Sequence, residues 1–565
     1  MKALALALFT LGSALQAAQP NILIILADDL GYSDLGCYGG EIKTPNLDAL
    51  ASAGLRFTQF YNGARCCPSR ASLLTGLYPH QAGVGLMTSD RGASFPGSAD
   101  QGDKFPGYRG RLNDQCVTLG EVLRPAGYHT FACGKWHVGD FDPTTRGFDA
   151  FFGFPAGYAV NSWDERMLIS LPAEPPLNRP GKFFATDAIT DHALDFIQST
   201  RQQPHKPWLL YLAYQAPHFP LQAPAEDIAK YVPVYEQGWD KIREQRLQRM
   251  KRLGLVAGDT ELTPRSRLPN PTVAKRHGSA TADNRNPAWD TLPAARRTDL
   301  AHRMATYAAM VDRMDANIGR LIADLRKAGE LNKTLICFLS DNGACAEWDP
   351  FGFDLTPPDP ATTKPGVGVN LGTQAGPNIL HQGSELDHMG ASDTFMSYGS
   401  GWANACNTPW RLYKHYGHEG GISTPLIVHW PEGIKDQGQL RTQPGHIIDL
   451  MATCVALGGA KYPRSANGHA ILPMEGRSLV PAFGNQVIDR ESLAWEHEGN
   501  RAIRAGDWKL VSLKGQPWEL YDMTKDRTEL HDLAAKQPDR VKDLAAKWDL
   551  WARRCNVLTE DAAAK

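Results

Sequence analysis

Short apolar runs alternate with helical patterns along most of the chain, and each run ends in a cluster of polar residues. Runs at 22–27, 130–133, 208–214, 335–340 and 426–430 predict strands. Between them, apolar residues recur at helical spacing over 304–325 and over 189–197, which predicts two amphipathic helices. Strands that alternate with helices are typical of an α/β fold, so we predict a large, mainly parallel sheet sandwiched by helices.

Two long segments interrupt this alternation. Residues 246–297 are basic, polar and proline-bearing, and we interpret them as a surface excursion that contains short helices. Residues 343–408 are rich in Gly, Pro, Asp and Thr and show little periodicity. A loop of that length is either disordered or lines a site.

The C-terminal part of the chain has a different pattern, of short strands and turns. Predicted strands at 508–513 and 518–521 precede a predicted helix at 538–551. We therefore expect a main domain over 19–462 and a smaller domain of antiparallel sheet plus helix over 463–565.

The N-terminus has the order of a secretory signal peptide. A positively charged start precedes an apolar run over 3–11, and small and polar residues follow. The apolar run is too short to span a bilayer, and no second long apolar stretch follows it. We expect residues 1–18 to be removed on export to the periplasm or the extracellular space, with cleavage after Ala17 or Ala18 and no membrane span in the mature protein.

Composition excludes two classes of partner. The 565 residues include 59 Lys+Arg and 61 Asp+Glu, a formal net charge of −2, so no global field gathers nucleic acid or an anionic membrane. Hydrophobic residues make up 42% and charged residues 21%, as in ordinary globular proteins. The connectivity of ten cysteines does not follow from sequence, but Cys337 and Cys454 lie in apolar surroundings and are predicted to be buried small hydrophobes.

Polar side chains follow four of the predicted strands. They are Asp28 and Asp29, then Lys135 and His137, then His218, and finally Asp341 and Asn342. Each group alone has a simpler explanation as a turn or a helix cap. Because ligands bind at the carboxyl edge of an open parallel sheet, four such groups at one edge favour a site.

The chemistry of these groups separates into two sets. Asp28, Asp29, Asp341 and Asn342 offer only oxygen ligands, which suits a hard cation such as calcium or magnesium rather than zinc. Lys135 and His137 are two residues apart, so in an extended segment both side chains face the same way and can act on one substrate.

The segment from Cys66 to Gly76 predicts a helix, with Pro68 near its start and glycine as its stop. The N-terminal amides of such a helix favour an anion beside Cys66. The vicinal pair Cys66 and Cys67 is equally consistent with a structural or redox pair, and these physical arguments leave both explanations open.

The sequence closely resembles the type I sulfatase family, within the alkaline phosphatase superfamily. The resemblance rests on Cys66-Cys67-Pro68-Ser69-Arg70 with Leu73-Leu74-Thr75-Gly76, Asp28-Asp29, Gly134-Lys135-Trp136-His137, Ala216-Pro217-His218, Ser340-Asp341-Asn342-Gly343, Lys414 and His418-Glu419-Gly420-Gly421. It covers nearly all of the mature chain, including Gly506-Asp507-Trp508-Lys509-Leu510 and Glu519-Leu520-Tyr521-Asp522. The resemblance implies an alkaline-phosphatase-like fold and an arylsulfatase-like hydrolase of sulfate esters.

The resemblance also implies a metal and a modified nucleophile. One calcium ion is bound by Asp28, Asp29, Asp341, Asn342 and modified residue 66. In this family a formylglycine-generating maturation enzyme oxidises the first signature cysteine, here Cys66, to 3-oxoalanine (formylglycine).

The implied reaction passes through a covalent sulfo-enzyme intermediate. Arg70 helps to hold the modified residue, whose hydrate attacks sulfur, while Lys135 and Lys414 neutralise charge on the sulfate oxygens. His218 protonates the departing alcohol or assists sulfate binding. His137 takes the proton from the remaining hydroxyl, so that sulfate is expelled.

Several alternatives stay open at this point. A phosphonate or phosphate-diester hydrolase of the same superfamily uses the same nucleophile, and a non-catalytic protein that binds sulfated glycans retains the same pocket. The substrate is a sulfated small molecule or glycan, and its alcohol part is unspecified. Residues 343–408 and the second domain are expected to select it, and Trp348, Trp402, His381 and Trp495 are candidates to stack on a ring.

Overall fold

The computed structural model describes residues 19–88, 105–139, 142–155, 157, 161–173, 182–347, 349–357 and 378–558. The predicted signal peptide over 1–18 lies outside these residues. Within them, none of the helices combines the length and the apolar character needed to cross a membrane.

A ten-stranded sheet forms the centre of the molecule, in the order β11-β2-β10-β7-β1-β6-β3-β4-β5, with β12 also pairing with β2. Its strands are β1 (Asn21–Ala27), β2 (Leu55–Tyr61), β3 (His129–Lys135), β4 (Ala150–Phe154), β5 (Ile169–Leu171), β6 (Trp208–Ala213), β7 (Thr334–Ser340), β10 (Ser423–His429), β11 (Leu440–Arg441) and β12 (Gly445–His446). All pairs are parallel except those that β10 makes with β2 and β7, and that of β4 with β5. The predicted mainly parallel sheet is confirmed, and each of the five predicted runs overlaps a strand, although the runs at 208–214 and 426–430 extend one residue too far.

Helices cover both faces of this sheet, and alternate residues of β1 enter two different cores. Leu23 and Ile25 pack in one hydrophobic cluster with the helices at 294–327 (α9) and 185–200 (α4). Ile22 and Ile24 pack in a second cluster with the helices at 66–75 (α2) and 449–457 (α13). The helices are α1 (Pro45–Ser52), α2 (Cys66–Thr75), α3 (Leu119–Leu123), α4 (Ala185–Thr200), α5 (Ala225–Ala229), α6 (Val232–Tyr235), α7 (Trp239–Arg252), α8 (Pro271–Arg276), α9 (Ala294–Lys327), α10 (Ser384–His388), α11 (Gly399–Cys406), α12 (Glu419–Ile422), α13 (Asp449–Leu457), α14 (Val480–Phe483) and α15 (Pro538–Arg554). The two amphipathic helices predicted from periodicity are α4 and α9.

The surface excursion predicted over 246–297 is wrong at its start. Arg246 belongs to α7 and is fully buried. Its guanidinium binds Asp34 Oδ1 and Glu41 Oε1, each at 2.6 Å. The prediction placed this segment on the surface because it is basic and polar. An arginine that is buried and paired with two carboxylates cannot be told from an exposed arginine in the sequence, so the prediction failed at Arg246.

The segment predicted as a loop over 343–408 also contains a buried helix, α11, together with short strands β8 (Asp354–Leu355) and β9 (Phe395–Met396). A Cβ atom built on Gly401 would lie 2.5 Å from the Trp239 ring. The small residues of α11 thus permit close packing on α7, and they also remove the apolar periodicity by which a buried helix is recognised.

The C-terminal part is a four-stranded antiparallel sheet with a helix, as predicted. The strands β15 (Leu493–His497), β16 (Asn500–Ala505), β17 (Trp508–Ser512) and β18 (Glu519–Asp522) pair in sequence order, and α15 packs with them in a third core. A small hairpin of β13 (Ser465–Ala466) and β14 (His469–Ala470) precedes them. Leu479 and Phe483 still belong to the core of the large sheet, and the domain boundary at 463 stays a prediction.

A buried ionic cluster joins this sheet to the main body. Lys509 of β17 is fully buried, and its ammonium lies 2.9 Å from Glu419 Oε1 and 2.7 Å from Glu529 Oε1. Arg527 binds the other oxygen of Glu419 at 2.9 Å. Burial raises the pKa of Glu419, but Lys509 and Arg527 outweigh it and hold that pKa at about 2.

We expect Lys509→Met to destabilise the protein, because it leaves two buried carboxylates with one cation fewer. The free energy of unfolding should fall by about 3 kcal/mol. Thermal unfolding of Lys509→Met beside Lys525→Met measures this. Lys525 is 82% exposed, so its replacement should shift the transition little, and equal melting temperatures for the two variants would contradict the expectation.

Candidate active site

The carboxyl ends of four neighbouring parallel strands define the site. β7, β1, β6 and β3 are adjacent and run in one direction. The residues that end or follow these strands are Asp28, Asp29, Lys135, His137, His218, Asp341 and Asn342, all of them buried. The predicted coincidence at one sheet edge is therefore found.

The oxygen-bearing residues converge from β1 and β7. Asn342 Nδ2 donates to Asp29 Oδ1 at 2.6 Å, and the Asp29 amide donates to Asp341 Oδ1 at 3.2 Å. Two buried oxygens, Asp28 Oδ1 and Asn342 Oδ1, have no hydrogen-bond partner within the described residues. Orphaned buried oxygens call for an explanation such as a bound ion.

Three cations reach these carboxylates. Lys135 Nζ lies 2.5 Å from Asp28 Oδ2, and Lys414 Nζ lies 2.8 Å from Asp29 Oδ1. Arg70 binds Asp341 Oδ2 through Nε at 3.0 Å and through Nη2 at 2.8 Å. Lys414 follows no strand of the sheet, and only its resemblance to a family position marked it in the sequence.

Charge compensation decides the ionisation of this cluster. Burial raises the pKa of Asp29, but the Lys414 ammonium and His218 outweigh it, so that pKa lies well below its usual range. Burial and the neighbouring Asp28 carboxylate raise the pKa of Asp341 well above its usual range, despite Arg70. The neighbouring cations thus stabilise the Asp29 carboxylate better than the Asp341 carboxylate.

Helix α2 presents Cys66 at its first turn, as the sequence predicted. The helix begins at Cys66 and stops at Gly76, which adopts a left-handed conformation with φ 71°. A hydrogen bond from Cys67 and the charges of Lys135 and Lys414 lower the pKa of the Cys66 thiol well below its usual range, although burial opposes this. The surroundings of residue 66 therefore favour negative charge.

His137 approaches Cys66 by a different route from the one predicted. Its φ is 53°, so the segment after Lys135 is not extended, and the turn rather than strand alternation aims the ring. Atoms of Cys66, Cys67 and His137 suited to bind a metal lie within 4.8 Å of one another. Burial lowers the pKa of His137 to about 4, so the ring is neutral.

His218 lies beside Asp29. Its Nε2 is 3.5 Å from Asp29 Oδ2, and its Nδ1 is 2.5 Å from the Phe219 carbonyl oxygen. Burial lowers the pKa of His218. The two imidazoles therefore have different neighbours, since His137 lies beside Cys66 and His218 beside Asp28 and Asp29.

All ten cysteines lie among the described residues, and each is a free thiol. Cys66 and Cys67 form no disulfide in this structure. Cys337 and Cys454 are buried, as predicted.

The residues considered for ring stacking have other contacts. Trp402 is fully buried, and its Nε1 donates to the Leu300 carbonyl at 2.8 Å. Trp495 is also buried and donates to the Asn62 carbonyl at 2.7 Å. His381 binds Asp354 at 3.0 Å, and Trp348 lies outside the described residues. The stacking hypothesis is therefore wrong for Trp402 and Trp495, which are packing residues.

A second group of charged residues adjoins the site and escaped sequence reasoning. Arg65, Glu347, His415, His497 and Glu498 form a connected cluster. Arg65 precedes Cys66 and His415 follows Lys414, so nearness in sequence was a signal for these two. Glu347, His497 and Glu498 come from separate segments, and no sequence pattern marks them.

Residues 20–460, more than half of the chain, match the sequence model of the family described as sulfatase. The chain belongs to the sulfatase family. A second family, described as N-sulphoglucosamine sulphohydrolase, C-terminal, matches residues 410–549. This sulfatase is therefore a sulfuric ester hydrolase, and the resemblance found in its sequence is confirmed.

Similar proteins cover almost the whole sulfatase chain. A sulfatase of Schizosaccharomyces pombe is 34% identical over 96% of this chain and 95% of its own. An arylsulfatase of Klebsiella aerogenes is 33% identical over 82% of this chain and 92% of its own. The crystal structure of Ps i-CgsB in complex with k-i-k-neocarrahexaose has a TM-score of 0.63 at 25% identity, and the alignment covers 94% of this chain and 93% of that chain.

Proposed function

We propose that this sulfatase releases inorganic sulfate from an aryl or carbohydrate sulfate, with calcium bound at the sheet edge and residue 66 converted to formylglycine. The observation that carries the proposal is the convergence of Cys66, at the start of α2, on oxygen donors and cations at one buried edge. An arylsulfatase relative and a neighbour bound to an oligosaccharide support both classes of alcohol.

The donor set fits a calcium ion. Asp28, Asp29, Asp341, Asn342 and the side chain of residue 66 would hold it, and the two orphaned oxygens support this assignment. A calcium ion supplies positive charge that polarises the sulfate ester.

The fixed charges of the site suit an anionic ester. Three carboxylates, Asp28, Asp29 and Asp341, already have three permanent cations beside them. A divalent cation added to this balanced set leaves positive charge that the substrate sulfate offsets. Lys135 and Lys414 contact the carboxylates of Asp28 and Asp29, and their positive charges also act on residue 66. Beside residue 66 they orient the sulfate oxygens.

Two imidazoles divide the proton transfers. His137 lies beside residue 66, so it accepts the proton of a hydroxyl there at a ring nitrogen. His218 lies beside Asp29, and its Nδ1 donates to the Phe219 carbonyl, so its Nε2 donates a proton to the departing alcohol oxygen when the ring is in its protonated form, which the Asp29 carboxylate favours. Formylglycine supplies a pair of hydroxyls on one carbon in its hydrated form, which a serine or cysteine side chain lacks.

We expect Cys66→Ala to lower sulfate release by more than about a thousandfold, because no nucleophile remains. Cys66→Ser should release at most one equivalent of the alcohol and no sulfate, since its single hydroxyl leaves the sulfate group bound to the enzyme as an ester. Turnover of an aryl sulfate measures both, beside Cys37→Ala as a control at a half-buried thiol outside the site. The peptide that holds residue 66 should have the mass of the aldehyde in wild-type protein co-expressed with a maturation enzyme, and an unmodified thiol in fully active protein would contradict the mechanism.

We expect Asp341→Asn to abolish calcium retention, because it removes one anionic ligand and the charge that Arg70 holds in place. Elemental analysis of gel-filtered protein should give one calcium per wild-type chain and less than a tenth of that for the variant. Asp507→Asn, at an exposed carboxylate, should retain the full complement. Equal calcium in both variants would remove the proposed metal site, whatever the activity.

We also propose that the protein is exported, on the strength of the N-terminal pattern of a charged start, a short apolar run and small residues. The mature N-terminus should then begin after Ala17 or Ala18. N-terminal sequencing of protein recovered from the periplasm or the medium checks this, and an intact Met1 there would contradict it.

A further inference from the structure

The hairpin of β15 and β16 places His497, the last residue of β15, and Glu498, the first residue of the turn, at the edge of the active site. These strands pair up to His497 and Asn500, so only two residues form the connection. Glu498 has a φ of 53°, a conformation that non-glycine residues seldom adopt and that occurs in tight hairpins. The turn thus holds the Glu498 side chain in a defined direction.

The main body fixes this hairpin from both sides. His80 Nε2 lies 2.8 Å from Glu496 Oε2, and the Tyr108 hydroxyl donates to the same oxygen at 3.1 Å. Asn500 Nδ2 donates to the His415 carbonyl at 3.3 Å. The position of Glu498 relative to the site is therefore set by contacts that do not involve Glu498.

A chain of short contacts connects Glu498 to the residue before Cys66. Arg65 Nη1 binds Glu347 Oε1 at 3.1 Å, and that oxygen is 2.9 Å from His415 Nε2. His415 Nδ1 in turn lies 2.9 Å from Glu498 Oε2. Because His415 follows Lys414, which binds Asp29, the same chain adjoins the proposed metal and sulfate site.

Glu498 is the accessible member of this chain. Its side chain is 41% exposed, whereas those of Arg65, Glu347 and His415 are 4–8% exposed. His497 is buried, and its Nε2, 3.6 Å from Glu498 Oε1, has no hydrogen-bond partner within the described residues. A buried imidazole nitrogen without a partner, aimed at a half-exposed carboxylate, marks a place where a ligand can complete the hydrogen bonding.

Glu498 is the exposed anionic group of the cluster. Burial opposes ionisation of Glu498, but His415 holds its pKa well below the usual range. Burial likewise raises the pKa of Glu347, but Arg65 outweighs it and the value is about 2. Glu347 is thus paired with Arg65 inside the protein, whereas the Glu498 carboxylate is partly open to solvent.

We propose that Glu498 determines specificity for the alcohol part of the substrate: it accepts hydrogen bonds from hydroxyl groups and repels a second anionic group near the sulfate ester. The favoured substrate class is then a monosulfated, otherwise uncharged polyol, such as a neutral sugar sulfate. This inference rests on the proposed function, because it concerns the same site.

A metal ion explains the cluster less well. His415, His497 and Glu498 bring two imidazoles and a carboxylate within 4.8 Å of one another, which is a donor set that zinc accepts. The Arg65 guanidinium, however, binds Glu347 Oε1 at 3.1 Å, and that same oxygen lies 2.9 Å from His415 Nε2. A permanent cation so near the His415 ring repels a second cation, whereas it leaves the outward lone pairs of Glu498 available to hydroxyl donors.

The test compares one neutral sugar carrying a single sulfate with the same sugar carrying a second sulfate on the neighbouring carbon. We expect wild-type enzyme to prefer the monosulfated sugar in kcat/KM, and Glu498→Gln to reduce that preference about tenfold, because the repulsion disappears. Glu498→Asp should retain most of the preference. Glu491→Gln, at an exposed carboxylate of the same C-terminal part, should retain all of it.

The wild-type enzyme alone supplies a second measurement, which does not depend on folding of the variants. Its preference should decline as salt rises, because screening weakens repulsion between partly exposed charges. A salt-independent preference, a wild-type preference for the disulfated sugar, or an unchanged preference in Glu498→Gln would each overturn the inference while sulfate release continues. Failure of wild-type enzyme to release sulfate from any substrate would instead overturn the proposed function.

Discussion

The site depends on the parallel alignment of β1, β3, β6 and β7, whose carboxyl ends meet at one buried edge of the sheet. Inside the sheet the backbone amides and carbonyls are paired with one another. The loops that follow the strands are outside this pairing, and they bring the charged side chains together at the carboxyl edge. This alignment brings Asp29 and Asp341 together, so that the Asp29 amide donates a hydrogen bond to Asp341 Oδ1 at 3.2 Å.

Burial makes charge balance the second requirement. Carboxylates removed from water are costly unless cations or hydrogen-bond donors compensate them. Arg70 and the two lysines do so here, and each cation contacts a specific oxygen, which leaves Asp28 Oδ1 and Asn342 Oδ1 without partners. These two oxygens are the ones that the proposed calcium ion would contact, whereas the lowered pKa of Cys66 reports the positive charge of the neighbouring lysines.

The C-terminal sheet contributes to this centre as well as to stability. Its inner strand delivers Lys509 to a buried carboxylate pair, and its first hairpin delivers Glu498 to the rim of the active site. The proposed catalytic centre and the residue proposed to select the alcohol therefore come from different parts of one chain.

Five of the ten strands of the large sheet, the helices α4 and α9, and the polar residues that follow four strands could be predicted from the sequence, because apolar periodicity and the polar residues at strand ends are local patterns. For that reason Asp28, Lys135, His218 and Asp341 were predicted at one edge. The burial of Arg246, the helix α11 and the contact of Glu498 with His415 became visible in the folded structure alone. These outcomes depend on contacts between segments far apart in the chain, for which neither residue type nor spacing carries a local signal.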